Sequence, residues 1–208
     1  MSRDDSTPLT RWELADNTGF AAYFSGLIDA GADIEGEARL ADAMLPRGAT
    51  VLDAGAGFGR IGAALQARGH RVVAAEKDAD LVAMAADLYP DLLVVRSDIL
   101  ALSPQLLAEA GRPTAYDLVV VVGNVMVLLA PDTERQALGT LAALLADGGR
   151  MLVGFHPKDS PASSARAYPF EEFRTDAEAV GLSVQHRFGS YELAPPSDAY
   201  VVAVLARR

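Results

Sequence analysis

The stretch from Ala49 to Arg60, Ala-Thr-Val-Leu-Asp-Ala-Gly-Ala-Gly-Phe-Gly-Arg, constrains the fold more than any other part of the chain. It predicts a short buried strand, then a carboxylate, then three glycines at alternate positions that open into a helix. Val51 and Leu52 supply the β-forming core of the strand. Gly55, Gly57 and Gly59 let the backbone turn sharply and come close to a ligand, because no Cβ stands in the way. The helix that follows offers free N–H groups and the positive end of its dipole. Together these features make a ligand-binding turn.

Strands and helices alternate around this turn. Strands are expected over Thr50–Ala54, Arg71–Glu76, Leu92–Arg96, Asp117–Val122, Arg150–Phe155, Leu182–Phe188 and Tyr200–Leu205. The intervening helices are expected over Arg60–Arg68, from Asp78 to Leu88, from Ser103-Pro104 to Gly111, over Asp132–Ala146 and over Phe170–Val180. Such alternation implies an α/β fold with a parallel sheet covered on both faces. The last two strands are joined by a loop without room for a helix, so they pair antiparallel. Before the first strand, helical stretches span Arg11–Ile28 and Ile34–Leu45, after a frayed tail over residues 1–10. With 208 residues the chain suits one domain with a real core. The expected organisation is an N-terminal helical cap over residues 1–47 and one compact ligand-binding unit over 48–208.

Composition narrows the partners. A net charge of -10 is repelled by phosphate backbones, so nucleic acid is a poor partner. The absence of cysteine removes disulfides, thiolate metal sites and iron–sulfur clusters, and fits a reducing compartment. The polar start lacks the apolar core of a secretory signal, and the apolar run from Leu118 to Ala130 is too short to span a bilayer. A cytoplasmic protein without membrane attachment is expected, either monomer or homodimer, with no metal.

Three carboxylates mark the crevice. A dinucleotide-binding turn would run directly into Gly-x-Gly-x-x-Gly against a pyrophosphate. Here Asp53 lies two residues before the first glycine, and a carboxylate beside a pyrophosphate is repelled. Glu76 ends the second strand, about twenty residues after the first glycine, where an acidic side chain accepts from both ribose hydroxyls. Asp98 follows the third strand at the same rim. Three carboxylates around one crevice suggest a ligand with a ribose, hydrogen-bond donors and positive charge, and no phosphate.

The run Val51-Leu52-Asp53-Ala54-Gly55-Ala56-Gly57-Phe58-Gly59 resembles the first motif of the class I S-adenosylmethionine-dependent methyltransferases. The resemblance continues, in the family's order, through Ala74-Ala75-Glu76-Lys77-Asp78, Arg96-Ser97-Asp98-Ile99, Tyr116-Asp117-Leu118-Val119-Val120 and Gly148-Gly149-Arg150-Met151-Leu152-Val153. It covers roughly residues 48–156, and the last strands are similar in layout. It implies a doubly wound, mostly parallel seven-stranded sheet of Rossmann-like type, in the order 3-2-1-4-5-7-6 with strand 7 antiparallel. It also implies S-adenosyl-L-methionine as cofactor. Carried over by position, backbone at Gly55, Ala56 and Gly57, in the turn closed by Gly59, meets the amino-acid end of the cofactor. Asp53 braces that loop or reaches the ammonium through water. Glu76 takes the ribose hydroxyls and Lys77 flanks the adenine. Asp98 accepts from the adenine amino group and the Ile99 N–H donates to the ring. The Gly123 carbonyl and Asn124 lie next to the reactive methyl.

Taken singly, each residue has a plainer reading. Asp53 is equally a loop brace, Glu76 a solvated strand end, Asp98 the cap of a turn and Asn124 a turn residue. Trp12, Phe20, Tyr23 and Phe24 read as core or lid packing, His70 as a surface residue and His186 as structural. His156 follows the fifth strand at the ligand rim and is the one histidine placed to touch substrate or act as a base, loop structure being its alternative. The segment Gly123–Pro131 has no acidic residue and no Asn/Asp-Pro-Pro-aromatic motif, which disfavours metal-assisted catechol methylation, polyamine synthesis and methylation of nucleic-acid bases. The expected partner is a small-molecule methyl acceptor roofed by the N-terminal helices and the 156–168 segment. A binding protein that keeps the cofactor site without catalysis, and a nicotinamide-dependent oxidoreductase, are the alternatives.

Overall fold

The computed structural model describes residues 7–208; residues 1–6 of the expected frayed tail lie outside the described residues. Seven strands form one sheet: β1 (Thr50–Ala54), β2 (Arg71–Glu76), β3 (Leu93–Arg96), β4 (Tyr116–Val121), β5 (Leu145–Phe155), β6 (Leu182–Phe188) and β7 (Val201–Arg207). Their order is β3-β2-β1-β4-β5-β7-β6. The strands from β3 to β5 pair in parallel, and β7 runs antiparallel to both neighbours. The sheet order and the reversed strand are those the sequence implied.

Eight helices complete the described fold: α1 (Phe20–Asp29), α2 (Gly36–Ala43), α3 (Arg60–Ala67), α4 (Ala79–Leu88), α5 (Pro104–Glu109), α6 (Val125–Leu128), α7 (Glu134–Ala142) and α8 (Phe170–Ala179). Residues alternate between faces along a strand, so each strand feeds two cores. Val51, Val72, Ala74, Leu118, Val120 and Leu152 pack with Ile61, Leu65 and the buried alanines of α2. Leu52, Ala54, Val73, Val119, Val121, Met151 and Val153 pack with the helices of the opposite layer, where Phe155, Tyr168 and Phe173 stack on one another. Local signals place the starts: Asp78 accepts from the Asp80 and Leu81 amides to cap α4, and Ser103 accepts from the Leu106 amide to cap α5.

Three expectations need correction. The helical stretch expected from Arg11 begins only at Phe20, the preceding residues forming turns. The helix expected over Asp132–Ala146 is only α7. Asp132 sits at φ +62, outside helical space, and Leu145 leaves the helix to pair with Tyr116 on β4, so β5 begins five residues early. Sheet pairing and burial of Leu145 override the helix propensity of the alanines and leucines there. His70 is not a surface residue: it is 4% exposed, with its Nε2 at 3.0 Å from Asp42 of α2. An unexpected single turn, α6, follows Gly123 and Asn124, both left-handed at φ +72 and +74. Among the described residues, no helix is long and apolar enough to cross a membrane.

Candidate active site

Beyond the carboxyl ends of β1, β2, β4 and β5 lies a cavity of about 700 Å³. The strand order reverses between β1 and β4, so the connections after them leave on opposite faces and a crevice opens there. Gly55, Gly57, Glu76, Lys77, Asp98 and Ile99 line one side, and Gly123, Asn124 and His156 line the other. Asp53, Ala56 and Gly59 do not line it.

The turn after β1 is pinned by the Gly55 and Ala56 amides, which donate to the Ala75 carbonyl at 2.9 and 3.1 Å. Gly57 has φ +57, and a Cβ there would meet nothing within 4 Å; the missing side chain leaves backbone bare on the cavity wall. Gly59 serves packing instead. Its added Cβ would stand 2.6 Å from Leu92 Cδ2, so α3 and the α4–β3 connection approach only across a glycine.

Glu76 is 8% exposed, and its carboxylate is held by backbone alone. Oε2 accepts from the Gly57 amide at 2.8 Å, while Oε1 accepts from the Lys77 and Asp78 amides at 2.7 and 2.8 Å. Burial pushes its pKa up, against the pull of those three donors. Asp98 accepts from the Leu100 amide through Oδ1 and meets Lys77 Nζ at 2.9 Å through Oδ2. Lys77 therefore pairs with Asp98 and, at 2.7 Å, with Glu13 of the N-terminal segment.

That segment forms a strap across the cavity mouth. The Trp12 indole donates to Asp78 Oδ2 at 2.8 Å on one side, and the Arg11 guanidinium donates to the Leu129 carbonyl at 2.8 Å on the other. Glu134, 2% exposed, binds Arg11 at 3.0 Å and Arg166 at 3.1 Å, so one buried carboxylate holds both the strap and the 156–168 segment. Trp12, Phe20, Phe24 and Phe58 stack into a roof, with the Arg60 guanidinium over Phe24.

Asp53 is turned away from the cavity. It shares its strand face with Val51, and its Oδ2 accepts from the Gly62 amide of α3 at 2.9 Å. Desolvation raises its pKa to about 7, despite the Gly62 donor and the Arg60 charge; Glu76 adds to the rise. This bond ties the end of β1 to the first turn of α3.

On the other side, Asn124 Oδ1 accepts from the His156 backbone amide at 2.9 Å and lies 2.9 Å from His156 Nδ1. Burial lowers the His156 pKa. The Tyr200 ring meets the imidazole edge-on at 4.7 Å, and the Tyr191 and Tyr200 hydroxyls are 3.0 Å apart. Tyr200, Arg60, Glu37, Glu13 and Asp78 line the cavity without having been singled out for it; only Asp78 stood out locally, as a helix cap. Long-range packing brings them in, and no spacing in the sequence signals it. His186 lies exposed on β6, away from the cavity. Among the described residues, no three histidine or acidic side chains group as a metal site.

A family model described as a methyltransferase domain matches residues 51–149. A search of curated proteins finds no match. Among solved structures, the chain is similar to a TehB-like SAM-dependent methyltransferase from Corynebacterium glutamicum ATCC 13032 Kitasato: 36% identity over 92% of this chain and 98% of that one, with a TM-score of 0.80. It also shares its fold with the 1,6-didemethyltoxoflavin-N1-methyltransferase of Burkholderia thailandensis, whose structure holds 1,6-didemethyltoxoflavin and S-adenosylhomocysteine. There the identity is 22% over 100% of this chain and 98% of that one, with a TM-score of 0.62. The CcbJ methyltransferase of Streptomyces caelestis is similar at 18% identity, covering 86% and 92%, with a TM-score of 0.69.

Proposed function

Because the chain belongs to the class I S-adenosylmethionine-dependent methyltransferases, with S-adenosyl-L-methionine as its cofactor, we propose that the cavity divides into a cofactor half and an acceptor half. The rim at β1, β2 and β3 holds the cofactor. The rim at β4, β5 and β7 receives a small-molecule methyl acceptor. The observation that carries this division is the grouping on one wall of bare backbone at Gly57 with Glu76 and Asp98. The residues fit the cofactor: Gly57 and Gly123 leave open space where a Cβ would stand.

In this assignment Glu76 Oε2, which accepts one bond from Gly57, keeps a lone pair for a ribose hydroxyl. Backbone at Gly55 and Gly57 receives the amino-acid end, with Asp53, Ala56 and Gly59 supporting the turn from behind. Lys77, Asp98 and the Ile99 amide edge the adenine. Gly123 and Asn124 flank the reacting centre. When bound, the cofactor supplies a methyl group on a sulfonium, an already activated leaving group. The chain's own residues then align the acceptor and exclude water. Residues 10–24 roof the cavity as part of a cap over residues 1–47, with 48–208 as the catalytic unit. The cavity's volume of about 700 Å³ is shared by cofactor and acceptor, which supports an acceptor of small-molecule size.

Thermal denaturation with S-adenosylhomocysteine and with NAD tests this function. A ligand at a hundredfold excess over its dissociation constant stabilises by about 2.7 kcal/mol. Stabilisation by S-adenosylhomocysteine alone is expected; a response to NAD alone removes the proposal.

A further inference from the structure

The acceptor rim contains a polarised pair whose hydrogen bonding fixes which imidazole nitrogen is free. The His156 backbone amide lies 2.9 Å from the Asn124 side chain, and an amide N–H only donates. The Asn124 atom it faces is therefore the carbonyl oxygen. The same oxygen lies 2.9 Å from His156 Nδ1. An oxygen that only accepts requires Nδ1 to carry a proton, which leaves Nε2 of the neutral ring with an unshared pair. The backbone aids this: Asn124 stands at φ +74, a conformation asparagine tolerates, and its amide donates to the Gly154 carbonyl at 3.2 Å.

Resting on the methyltransferase reading above, we propose that His156 is the general base for an acceptor that enters with an O–H or N–H proton, and that Asn124 is the positioning residue that presents Nε2 to it. The acceptor is then a neutral phenol, enol or azole-type small molecule rather than a thioether or tertiary amine. The step balances. The acceptor's proton passes to Nε2, and its electron pair forms the bond to the methyl carbon. The carbon–sulfur bond breaks with its pair on sulfur, giving S-adenosylhomocysteine. The imidazolium returns its proton to solvent. Nδ1 keeps its bond to Asn124 throughout, so the ring does not need to turn between accepting and releasing the proton.

The groups packed on the ring favour its neutral form. Asn124 comes from the start of α6 and Tyr200 from the residue before β7; neither is charged, since burial pushes the Tyr200 pKa up to about 12. Behind Tyr200 stand Tyr191 and the Glu37–Arg60 pair, whose charges oppose each other. Lys158, two residues along the chain, is exposed and paired with Asp198 at 3.3 Å. Burial is what lowers the His156 pKa, so the base is ready at neutral pH.

Nitrogen-15 spectra of the histidine-labelled protein, saturated with S-adenosylhomocysteine, test the pair without any acceptor. The chain has 3 histidines, and the His156→Gln variant assigns the signal. The Nδ1–H form is expected for the parent protein. Asn124→Gly keeps the left-handed backbone without strain and is expected to shift the ring toward Nε2–H. Asn124→Asp is expected to restore Nδ1–H and to raise the His156 pKa. A parent ring in the Nε2–H form, or an Asn124→Gly spectrum like the parent, overturns the pair. A panel of phenols and azoles with S-adenosylmethionine then tests the base. His156→Gln is expected to lower methylation at pH 7 by a hundredfold or more while S-adenosylhomocysteine affinity stays within threefold. Equal rates, or no panel member methylated by the parent protein, overturn the O–H or N–H assignment. Failure to bind S-adenosylhomocysteine removes the methyltransferase reading instead.

Discussion

The two rims of the cavity solve opposite problems. At the ends of β2 and β3 the polar groups are carboxylates held by backbone amides: Glu76 accepts from three and Asp98 from one, with Lys77 beside it. At β4, β5 and β7 the polar groups are neutral: an amide, an imidazole and two phenols linked to one another. A carboxylate gripped by backbone is fixed in place before any ligand arrives, which suits a ligand that never varies. A neutral pair with one free nitrogen adds no charge to the reacting centre and moves one proton. In the function proposed above, the rims thus separate recognition from chemistry.

The largest effect expected from this contrast is a pH dependence that belongs to the carboxylate rim. The folded-state pKa of Asp53 is raised from 3.8 to about 7, so between those values the folded protein binds the extra proton. Stability from this group is complete below pH 4 and is lost as pH rises toward 7, by at most about 4 kcal/mol. Glu76 contributes with the same sign. Denaturant titrations of the parent and Asp53→Asn proteins, compared at pH 4 and pH 7, are expected to show the parent losing this advantage. A constant difference across that range contradicts the buried-carboxylate account.

Much of this site was legible in advance, and what was missed has a physical cause. The turn after β1 and the carboxylates at the ends of β2 and β3 follow from local runs of residue types, whereas the sheet order came from the resemblance to the family. The place of Asp53 before the glycines left both a brace and a ligand contact open, and only the packing of β1 on α3 shows its carboxylate bonded to the Gly62 amide. The strap was not legible. Nothing near Arg11 or Trp12 announces partners at Glu134 or Asp78, which lie more than sixty residues away. Nor was the end of α7, where pairing with β4 overrides local propensity. His70 was misread because the carboxylate it meets, Asp42, comes from another element.

The strap joins both rims, and cutting its ties comes next in size. Glu134→Ala leaves Arg11 and Arg166 without their shared carboxylate, and a loss of about 2 kcal/mol in stability is expected for breaking a buried charged hydrogen-bonded group. Hydrogen exchange is expected to rise in residues 10–17 and 161–168 together. A rise in only one segment shows that Glu134 does not couple them.

A smaller effect is expected at Trp12, the only tryptophan in the chain. Trp12→Phe removes one hydrogen bond to Asp78 and is expected to cost about 1 kcal/mol. In the parent protein its fluorescence is expected to change on titration with S-adenosylhomocysteine, since the indole lines the cavity. An unchanged emission spectrum at saturation places the ligand elsewhere.

The division of labour between the rims is tested most directly by calorimetric titration of S-adenosylhomocysteine into the parent, Glu76→Ala and His156→Ala proteins. Glu76→Ala is expected to weaken binding by about 1.5–3 kcal/mol, the scale of hydrogen bonds to a charged group, or roughly ten- to hundredfold. His156→Ala is expected to change it less than threefold. Equal losses in the two variants, or full affinity in Glu76→Ala, contradict the account.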